Sequence, residues 1–573
     1  MKKISCLCLI FLFLIVNSAP CFAGTNEMSL YVEKAAQAGE KQAYHGAKFE
    51  PKAGSYLGIF AEGDPAVHNT ATGNPFYFEG VPKLTGKKHA MYMLYEHYGM
   101  EDFNHYINHF NRAKKLNVGM QIALEPNNGL DQVQDDSYLH NFAKQAASSG
   151  IPIFLRFAGE MNDPDSEWTG DPNKYIEKFR LVARVMHSEA PNVAMCWAPN
   201  DWPFDAAAEW YPGDEYVDWI GVSAYPPYLA NGESEQNTKW TDRIKPIYDA
   251  YAGRKPIVLA EGAPIQNVLF EGTDVSWVGA KDIKEFYDEI ARRYPAIKAV
   301  FYWDCNETWD SAGRKCSLSG NNNILNAYKK AIASPYFLSE MNAASPVIFA
   351  DLSDPALPPL EAKAQKISAF VGNHRLDTAK VVYYINGEYA AEVVGSPYEA
   401  ALDLSAYAGQ TITIKSDAYD SANGFIDTVT DTVSIISTMA KPSSCVLQVN
   451  GKKTSVDAYN INGSNYFKLV DLAMALNGTK KQFYVSWDEK NKAINILGNQ
   501  PYTPSGGEQK KSGASGSINA IPTSATLLIN GSKVSFDAYN INGSNYFKLR
   551  DLSQAMQFNA SWSESTNTIT ISW

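Results

Sequence analysis

The stretch Pro152-Ile-Phe-Leu-Arg-Phe-Ala-Gly-Glu-Met-Asn162 is a short apolar run that ends in a carboxylate, Glu160, followed by turn-forming residues. Further along the chain, Pro256-Ile-Val-Leu-Ala-Glu-Gly262 repeats the pattern and places Glu261 near its end. A fully buried parallel strand reads as a continuous hydrophobic run, and barrel enzymes keep their chemistry at the carboxyl ends of such strands. The two stretches therefore predict an α/β fold whose sheet carries a pair of acids at one edge.

Six further apolar runs resemble these two and alternate with amphipathic segments, after an expected helical lead-in. Asp171-Pro172 marks a helix start, because Asp is a favoured N-cap and Pro a favoured first residue. Eight strands that alternate with helices fit a closed (β/α)8 TIM barrel, which we place at residues 24–340. The predicted strands are Tyr56–Phe60, Ala90–Tyr95, Gly119–Leu124, Ile153–Phe157, Val193–Trp197, Trp219–Ala224, Ile257–Ala260 and Ala299–Trp303.

The composition changes after the barrel. A hairpin around Asn386-Gly387 and several β-branched runs predict an all-β sandwich of immunoglobulin type. The end of the chain is an internal repeat, because Asp457–Leu469 recurs as Asp537–Leu549. Each copy predicts a small α+β repeat module, and the Ser- and Gly-rich stretch between them predicts a flexible linker. We place the sandwich at 345–438, the modules at 440–498 and 523–573, and the linker at 499–522.

Residues 1–23 have a basic start, an apolar core over Leu7–Val16 and a small-residue end, which is typical of a secretory signal peptide. The apolar run is too short for a membrane anchor, so we expect cleavage, export and no membrane span in the mature chain. Cys305 and Cys316 then form either a disulfide or two buried thiols. The net charge of −12 argues against nucleic acid as a partner. We expect an extracellular monomer.

Glu160 ends the fourth predicted strand and Glu261 the seventh. Hydrolysis of a glycosidic bond with retention needs two carboxyl groups about 5–5.5 Å apart. One donates a proton to the leaving oxygen, and the other attacks the anomeric carbon. The alternative interpretation is a pair of solvated strand-end acids on a barrel that only binds carbohydrate or serves at the cell surface. Two carboxylates perform this hydrolysis unaided, so we expect no cofactor and no metal.

Three motifs of the chain resemble glycoside hydrolase family 26: Leu155–Asn162, Tyr211–Gly221 and Leu259–Gly262. The resemblance implies a retaining (β/α)8 hydrolase, most often a β-mannanase, with minority activities on β-1,3-xylan or mixed-linkage β-glucan. It implies Glu160 as acid/base and Glu261 as nucleophile. The chain departs from the family at Gly159, where a His usually helps to arrange the acid and the sugar. The substrate is therefore expected to be a β-linked polysaccharide, mannan or a related glycan.

The resemblance also implies that Tyr225 contacts the nucleophile and that Trp303 lies under the sugar, as aromatic faces do for neutral glycans. Core packing is the alternative for Trp303. Arg156 is expected to point inward near the acid, where it tunes ionisation or forms a structural salt bridge. The remaining predicted substrate-binding residues follow strand ends or lie on loops: Trp197, Asn200, Trp168 and Glu125.

The two terminal modules resemble the copper amine oxidase N-terminal-like domain of exported bacterial proteins. This resemblance implies attachment or spacing at the cell wall or cell surface. It implies no copper here, because the last His in the chain is His374 and the modules lack imidazole ligands. Four tyrosines of the repeats form either a glycan-binding face or partly buried sheet aromatics. They are Tyr459, Tyr466, Tyr539 and Tyr546.

Overall fold

The computed structural model describes residues 28–573 apart from 38, 69–77, 101–103, 227–238, 307–312, 373–377, 437, 511–515 and 524. The predicted signal segment lies outside the described residues. At residues 104–106 and 205–206 only the backbone is described. No helix in the described part of the chain has the length and apolar character needed to cross a membrane.

The first described strand, β1 (Met28–Ala35), stands where the sequence predicted a helical lead-in. It pairs in antiparallel with two strands of the sandwich that follows the barrel, with Tyr31 opposite Asp351 on one side. Leu30 and Val32 are fully buried, and alternate residues of a strand point to the same face. Tertiary pairing thus overrides the weak local preference of this short segment. The beginning of the predicted barrel domain therefore belongs to the sandwich.

Eight parallel strands close into the predicted (β/α)8 barrel, because the first strand also pairs with the last and places Phe60 opposite Trp303. A helix follows each strand. The strands are β2 (Ser55–Phe60), β3 (Met91–His97), β4 (Gly119–Glu125), β5 (Ile153–Phe157), β6 (Val193–Trp197), β7 (Trp219–Ser223), β8 (Ile257–Gly262) and β9 (Ile297–Trp303). The helices are α1 (Gly80–Thr85), α2 (Asn104–Leu116), α3 (Ser137–Ser149), α4 (Pro172–Glu189), α5 (Phe204–Ala207), α6 (Trp240–Tyr251), α7 (Ser276–Arg292) and α8 (Asn322–Ile332). A short strand, β10 (Phe337–Leu338), lies beside β2.

Helix α4 begins where Asp171-Pro172 predicted a start. The Asp171 carboxylate accepts hydrogen bonds from the backbone N–H groups of Asn173 and Lys174 at 3.0 and 3.2 Å. These bonds satisfy two of the donors that every helix leaves unpaired at its N-terminus. The buried face of the helix, with Tyr175 and Phe179, packs into the barrel core, as its apolar period predicted.

Two four-stranded sheets form a β-sandwich after the barrel, and its assignment to the immunoglobulin type stays a prediction. One sheet has the order β11-β1-β12-β15 and the other β14-β13-β16-β17. The predicted hairpin joins β13 to β14, with Asn386 and Gly387 at φ 50° and 86°, as tight hairpin turns require. The strands are β11 (Val347–Asp351), β12 (Ala364–Val371), β13 (Thr378–Ile385), β14 (Glu388–Val394), β15 (Tyr398–Asp403), β16 (Thr411–Asp420) and β17 (Phe425–Ser434).

Buried polar contacts join the sandwich to the barrel. The Lys239 ammonium donates to Glu289 within the barrel at 2.7 Å and to the Val371 carbonyl of the sandwich at 3.0 Å. Arg292 on α7 donates to Ser368 on β12 at 2.5 Å. These contacts, together with the shared strand β1, fix one domain against the other on the side of the barrel.

The two terminal repeats share their sheets. Three strands of each repeat close a six-stranded antiparallel barrel in the order β18-β21-β22-β29-β28-β25. Two further sheets, β20-β19-β31-β30 and β23-β24-β26-β27, each take two strands from each repeat. The elements of the first repeat are β18 (Thr438–Pro442), β19 (Val446–Val449), β20 (Lys452–Thr454), β21 (Ala458–Ile461), β22 (Ser464–Lys468), α9 (Leu469–Leu476), β23 (Phe483–Asp488) and β24 (Ala493–Gly498). Those of the second are β25 (Ile518–Pro522), β26 (Thr526–Ile529), β27 (Ser532–Val534), β28 (Ala538–Ile541), β29 (Ser544–Lys548), α10 (Leu549–Met556), β30 (Asn559–Ser563) and β31 (Thr568–Ser572).

The first part of the stretch predicted as a flexible linker contacts the first repeat through Tyr502 and Gln509. Tyr502 is buried, and its backbone exchanges hydrogen bonds with the Asn477 side chain at 2.9 and 3.0 Å. The Gln509 backbone N–H donates to Asp471 at 2.8 Å. The end of the stretch forms β25. The Ser-, Gly- and Pro-rich composition predicted a flexible linker, and these contacts attach Tyr502 and Gln509 of that stretch to the first repeat.

Candidate active site

Strand β5 ends in a distorted turn that carries Glu160 at the mouth of the barrel. Ala158 and Glu160 have φ angles of 45° and 58°, in the left-handed region that non-glycine residues seldom adopt. The Glu160 N–H donates to the Ala198 carbonyl at 2.8 Å, and its carbonyl accepts from the Ser166 hydroxyl at 3.0 Å. Strained backbone of this kind persists where surrounding contacts hold it, and it is enriched at functional sites.

Arg156 lies four residues before Glu160 and connects the two predicted acids. Its side chain is 3% exposed, so the guanidinium is buried in the barrel. One terminal nitrogen donates to Glu261 Oε2 at 2.6 Å, and the other donates to Glu160 Oε1 at 2.5 Å. The second nitrogen also donates to the Ser223 hydroxyl at 2.8 Å. A single planar guanidinium therefore holds both carboxylates and brings them close together.

Glu261 accepts hydrogen bonds from three side chains. The Tyr225 hydroxyl donates to Oε1 at 2.5 Å, whereas the Tyr95 hydroxyl and Arg156 both donate to Oε2. The Glu261 side chain is 11% exposed, and the Glu160 side chain is 24% exposed. Both carboxyl groups thus keep an open side toward the barrel mouth, and that of Glu261 is the more fully coordinated.

The environments of the two carboxyls push their pKa values in opposite directions. Burial, followed by the negative charge of Glu261, raises the pKa of Glu160 against the opposing effects of Arg156 and nearby hydrogen bonds. Burial acts on Glu261 as well, but the charge of Arg156 and the bonds from Tyr225, Tyr95 and Arg156 hold its pKa below the ordinary value. Paired groups with separated pKa values mark acid and base roles, so Glu160 is suited to carry a proton and Glu261 to attack.

Asn200 positions Glu160 from the other side. Its amide donates to Glu160 Oε2 at 3.0 Å. The Asn162 side chain clamps the loop after β6, because it accepts from the Asn200 N–H at 2.8 Å and donates to the carbonyls of Asn200 and Pro203. Trp202 follows on this loop with 59% of its surface exposed. The same loop therefore contacts Glu160 through Asn200 and presents the solvent-exposed ring of Trp202.

Trp303 and Glu125 lie at strand ends around the same mouth. Trp303 is only 5% exposed and stacks on Phe60 at 6.2 Å, and its ring lies at 84° to that of Tyr225, also at 6.2 Å. It forms a floor beside the residue that bonds Glu261. Burial raises the pKa of Glu125 to about 7, partly offset by the charge of Arg156. Glu125 is thus a third carboxyl in the electrostatic range of the pair.

Two of the predicted substrate-binding residues face away from the mouth. Trp168 is buried, and its indole N–H donates to the Gly159 carbonyl at 2.7 Å. It therefore supports the loop that carries Glu160. Trp197 is fully buried and packs against Tyr211 and Tyr251 in the outer layer of the barrel, at 5.0 and 5.5 Å. The position of Trp197 at a strand end and that of Trp168 on a loop did not reveal which way each side chain points.

Tyr95 and Ser223 are site residues that the sequence interpretation missed. Tyr95 was the last residue of the second predicted strand, and Ser223 lies near the end of the sixth. The rule that strand ends line the mouth would have indicated both. Among the described residues, no group of three or more His, Cys, Asp or Glu side chains is arranged to hold a metal ion.

Cys305 and Cys316 lie beside one another behind the mouth. The Cys316 N–H donates to the Cys305 carbonyl at 3.1 Å, and both side chains are buried. The two alternatives offered from the sequence, a disulfide and a pair of buried thiols, both stay predictions.

The part of the chain that is similar to known proteins contains this site. Residues 125–263 match the sequence profile of glycosyl hydrolase family 26, a range that starts at Glu125 and includes both Glu160 and Glu261. The match supports a catalytic domain of that family in this part of the chain. The motifs quoted from the sequence lie within the matched range.

The chain is also similar to curated glycanases over part of its length. It is 29% identical to the β-1,3-xylanase TXYA of a Vibrio species over 120 residues, which is 20% of this chain and 24% of that protein. It is 26% identical to the mannan endo-1,4-β-mannosidase of Bacillus subtilis over 172 residues, 28% of this chain and 41% of that protein. The chain thus spans well under half the length of these relatives.

Among solved structures, a Cellulomonas fimi endo-β-1,4-mannanase is 16% identical and overlaps 69% of this chain and 100% of its own, with a TM-score of 0.38. At that score the overlap adds nothing to the fold described above.

Proposed function

We propose that this protein is a secreted glycoside hydrolase that cleaves a β-linked polysaccharide internally, by a two-glutamate double displacement. The observation that carries the proposal is the bridged pair, Glu160 and Glu261, with pKa values moved in opposite directions. The family match supports the reaction type, and the similarity to a β-1,3-xylanase and a mannan endo-1,4-β-mannosidase supports a β-glycan of mannan or xylan type.

The residues divide the reaction between them. Glu160, kept protonated, gives its proton to the leaving oxygen while Glu261 Oε1 or Oε2 attacks the anomeric carbon and the glycosidic bond breaks. Water then gives a proton to Glu160, its oxygen bonds to the anomeric carbon, and the bond to Glu261 breaks. Tyr95 and Tyr225 hold Glu261 in place for the attack. Two inversions at one carbon retain the anomeric configuration.

The contact of both carboxylates with one guanidinium favours this retaining route. Retaining enzymes hold their carboxyl groups about 5–5.5 Å apart, whereas inverting enzymes leave about 6.5–9.5 Å for a water molecule. A bridge of one side chain suits the shorter range.

The test is hydrolysis of soluble β-1,4-mannan, glucomannan, β-1,3-xylan and mixed-linkage β-glucan by the whole protein. We expect reducing ends to appear from at least one of them and to disappear with Glu160→Ala and with Glu261→Ala. Glu209→Ala, an exposed acid on the same barrel, is the matched control and should behave as wild type. Wild type that releases no product from any polysaccharide would refute the proposal and favour a barrel that only binds carbohydrate.

We propose further that the protein acts outside the cell as a monomer, with the terminal repeats holding it at the cell wall or surface. The pattern of residues 1–23 and the resemblance of the repeats support this placement. Detection of a chain that begins at residue 24 in the culture medium or on washed cells tests it. A full-length product confined to the cytoplasm would contradict it.

A further inference from the structure

The sandwich sheet β14-β13-β16-β17 turns one face toward the core of its domain and the other toward solvent. On β13, Val381 and Tyr383 are fully buried, so the residues that alternate with them point outward. Large side chains lie on the outer face at both edges of the sheet: Tyr389 on β14 is 66% exposed, and Phe425 on β17 is 61% exposed. Apolar groups that gather on one exposed face, instead of lying singly, mark interaction sites.

Strand register brings four aromatic residues to this outer face. Tyr384 stands opposite Tyr389, and Tyr419 stands opposite Phe425 with the two rings 6.0 Å apart. Directly opposite residues of antiparallel strands lie on the same face. Burial, then Asp417 and then Tyr384 raise the pKa of Tyr419, which places the two central tyrosines beside each other on neighbouring strands. The four rings thus cross the whole sheet, and we call this surface the aromatic face.

Charged side chains on the aromatic face pair with one another. Lys380 donates to Glu392 at 3.2 Å, and the Lys415 ammonium lies 2.9 Å from the Asp417 carboxylate. Both ammonium groups also lie over tyrosine rings of the face, at 5.7 and 5.2 Å from the ring centroids. Because these two cations and two anions cancel, the face has no field of a single sign that would select a charged polymer.

Hydroxyl groups continue the aromatic face along its far edge. Thr428, Thr430 and Thr432 alternate along β17 and are exposed on the same side as the rings. The four strands span about 14 Å, since neighbouring strands lie about 4.8 Å apart. Tyr384 and Lys380 are four residues apart on β13, which is about 13 Å along the strand. The face is therefore broad enough for more than one sugar ring of an extended chain.

We propose that the aromatic face is a second carbohydrate-binding site, which holds an extended neutral polysaccharide away from the active site. Aromatic rings pack against the apolar C–H groups of a pyranose, and a few polar groups fix its hydroxyls. A stable protein partner requires an interface core depleted of charged residues, whereas charged pairs lie among these rings. The balance of charges likewise gives a polyanion no advantage over a neutral glycan.

The position of the aromatic face in the molecule gives it a use. The shared strand β1 and the contacts of Lys239 and Arg292 fix the sandwich against the barrel. A polysaccharide held on the sandwich therefore stays near the barrel mouth, and linked binding sites raise the effective concentration of a shared ligand. This benefit to hydrolysis rests on the proposed function, but binding by the aromatic face does not.

Binding is measured with the whole chain carrying Glu261→Ala, so that the polymer is not consumed. Electrophoresis in native gels that contain soluble β-1,4-mannan, glucomannan, β-1,3-xylan or mixed-linkage β-glucan gives a Kd for each polymer. We expect at least one polymer to retard the chain. Tyr389→Ala and Phe425→Ala, added singly, should each raise that Kd about three- to tenfold, the factor that one aromatic contact provides. Together they should give the product of the two effects, because they lie at opposite edges of the sheet.

The matched control is Trp277→Ala, which removes an aromatic side chain of similar exposure, 61%, from helix α7 of the barrel. It should bind each polymer as the parent does. Thermal unfolding of every variant should stay at the parent temperature, since both substituted residues of the aromatic face are exposed. Sedimentation velocity of the wild type and of Tyr389→Ala tests whether the face instead joins two copies of the chain.

The outcomes separate this proposal from the hydrolase assignment. Failure of every polymer to retard the parent, or equal Kd values for the parent and the double variant, would overturn the aromatic face and leave the hydrolase assignment standing. A wild-type dimer that Tyr389→Ala dissociates would assign the face to a second copy and overturn the proposal as well. A wild type that cleaves no polymer, but whose Glu261→Ala form binds one through Tyr389 and Phe425, would support the aromatic face and refute the hydrolase.

Discussion

The mouth of the barrel and the paired terminal repeats both gather tyrosines, but they orient them in opposite ways. At the mouth, the hydroxyls of Tyr95 and Tyr225 converge on Glu261 beside an open cleft. In the repeats, Tyr459 and Tyr546 pack edge to face at 5.2 Å inside the closed six-stranded barrel. Residue type alone therefore does not distinguish a sugar-binding surface from a core, and the position of each tyrosine in the sheet decides.

The reason lies in the two kinds of barrel. Parallel strands all end at the same rim, so the residues that follow them meet around an opening. Antiparallel strands begin and end alternately at the two rims of their barrel, and the inward side chains of a small closed barrel fill its interior. The four tyrosines of the repeats are therefore sheet aromatics: Tyr459, Tyr466 and Tyr546 are buried, and Tyr539 is partly buried. Of the two interpretations offered from the sequence, packing is the one that the structure supports.

The strongest test of this contrast is Tyr459→Ala. Removing a fully buried aromatic side chain should lower the free energy of unfolding of the repeat pair by about 3–5 kcal/mol. Hydrolysis at the distant barrel mouth should not change. Calorimetry of the whole protein gives the first quantity, and release of reducing ends gives the second. Trp562→Ala, an exposed aromatic of the same repeats, is the control and should change neither.

A smaller effect is expected from Ser223→Ala, which removes one acceptor from the buried Arg156 guanidinium. A hydrogen bond to a charged group is worth about 1.5–3 kcal/mol, so kcat/KM should fall about tenfold or more. The matched change in the repeats is Ser443→Ala, which removes a bond to Asn465 at 3.0 Å between neutral groups. It should cost only about 1 kcal/mol of stability and no activity. Equal activity of both variants would show that Ser223 does not hold the site.

The smallest expected effect concerns how the free energy of unfolding depends on pH. The contributions of Glu261 and Asp471 to this dependence should have opposite signs. The lowered pKa of Glu261 contributes stability above its unfolded value of about 4.3, and that contribution is lost as the pH falls through the folded pKa. Burial raises the pKa of Asp471 in the repeats, so its contribution is present below about 3.9 and is lost as the pH rises through the folded pKa. Glu261→Gln and Asp471→Asn should therefore change the pH dependence of unfolding in opposite directions.

Calorimetric titration of the two variants against wild type, from pH 3 to pH 8, measures this difference. The pH dependence of unfolding of the barrel should change only with Glu261→Gln, and that of the repeats only with Asp471→Asn. If the two substitutions changed the slope of unfolding free energy against pH in the same direction, the two carboxyls would have similar environments. The electrostatic difference between the barrel mouth and the repeats would then be refuted.

Much of the barrel was predictable because its signals are local. Buried parallel strands are apolar runs, their helices have a 3.6-residue period, and Asp171-Pro172 is a helix start that the structure confirms. The same rules indicated both glutamates, since each follows such a run directly. The strand β1 was predicted wrongly, because its partners lie beyond the barrel in the sequence and no local pattern reports them.

Side-chain direction was the part of the site that local signals did not reveal. Trp197 and Tyr225 both stand near strand ends, yet the first packs outward against Tyr211 and Tyr251 and the second donates a hydrogen bond to Glu261. The alternation of a strand and the course of the following loop separate them, and both depend on register with neighbouring strands.

The sequence by itself determined that this chain builds a parallel barrel with Glu160 and Glu261 at its rim, because hydrophobic runs and the residues that end them are local properties. Only the tertiary structure decided that the Arg156 guanidinium contacts both acids and the Ser223 hydroxyl. Those contacts join β5 to β7 and β8. Closure of the sheet brings them together, and a buried charge is stable only where its partners converge on it.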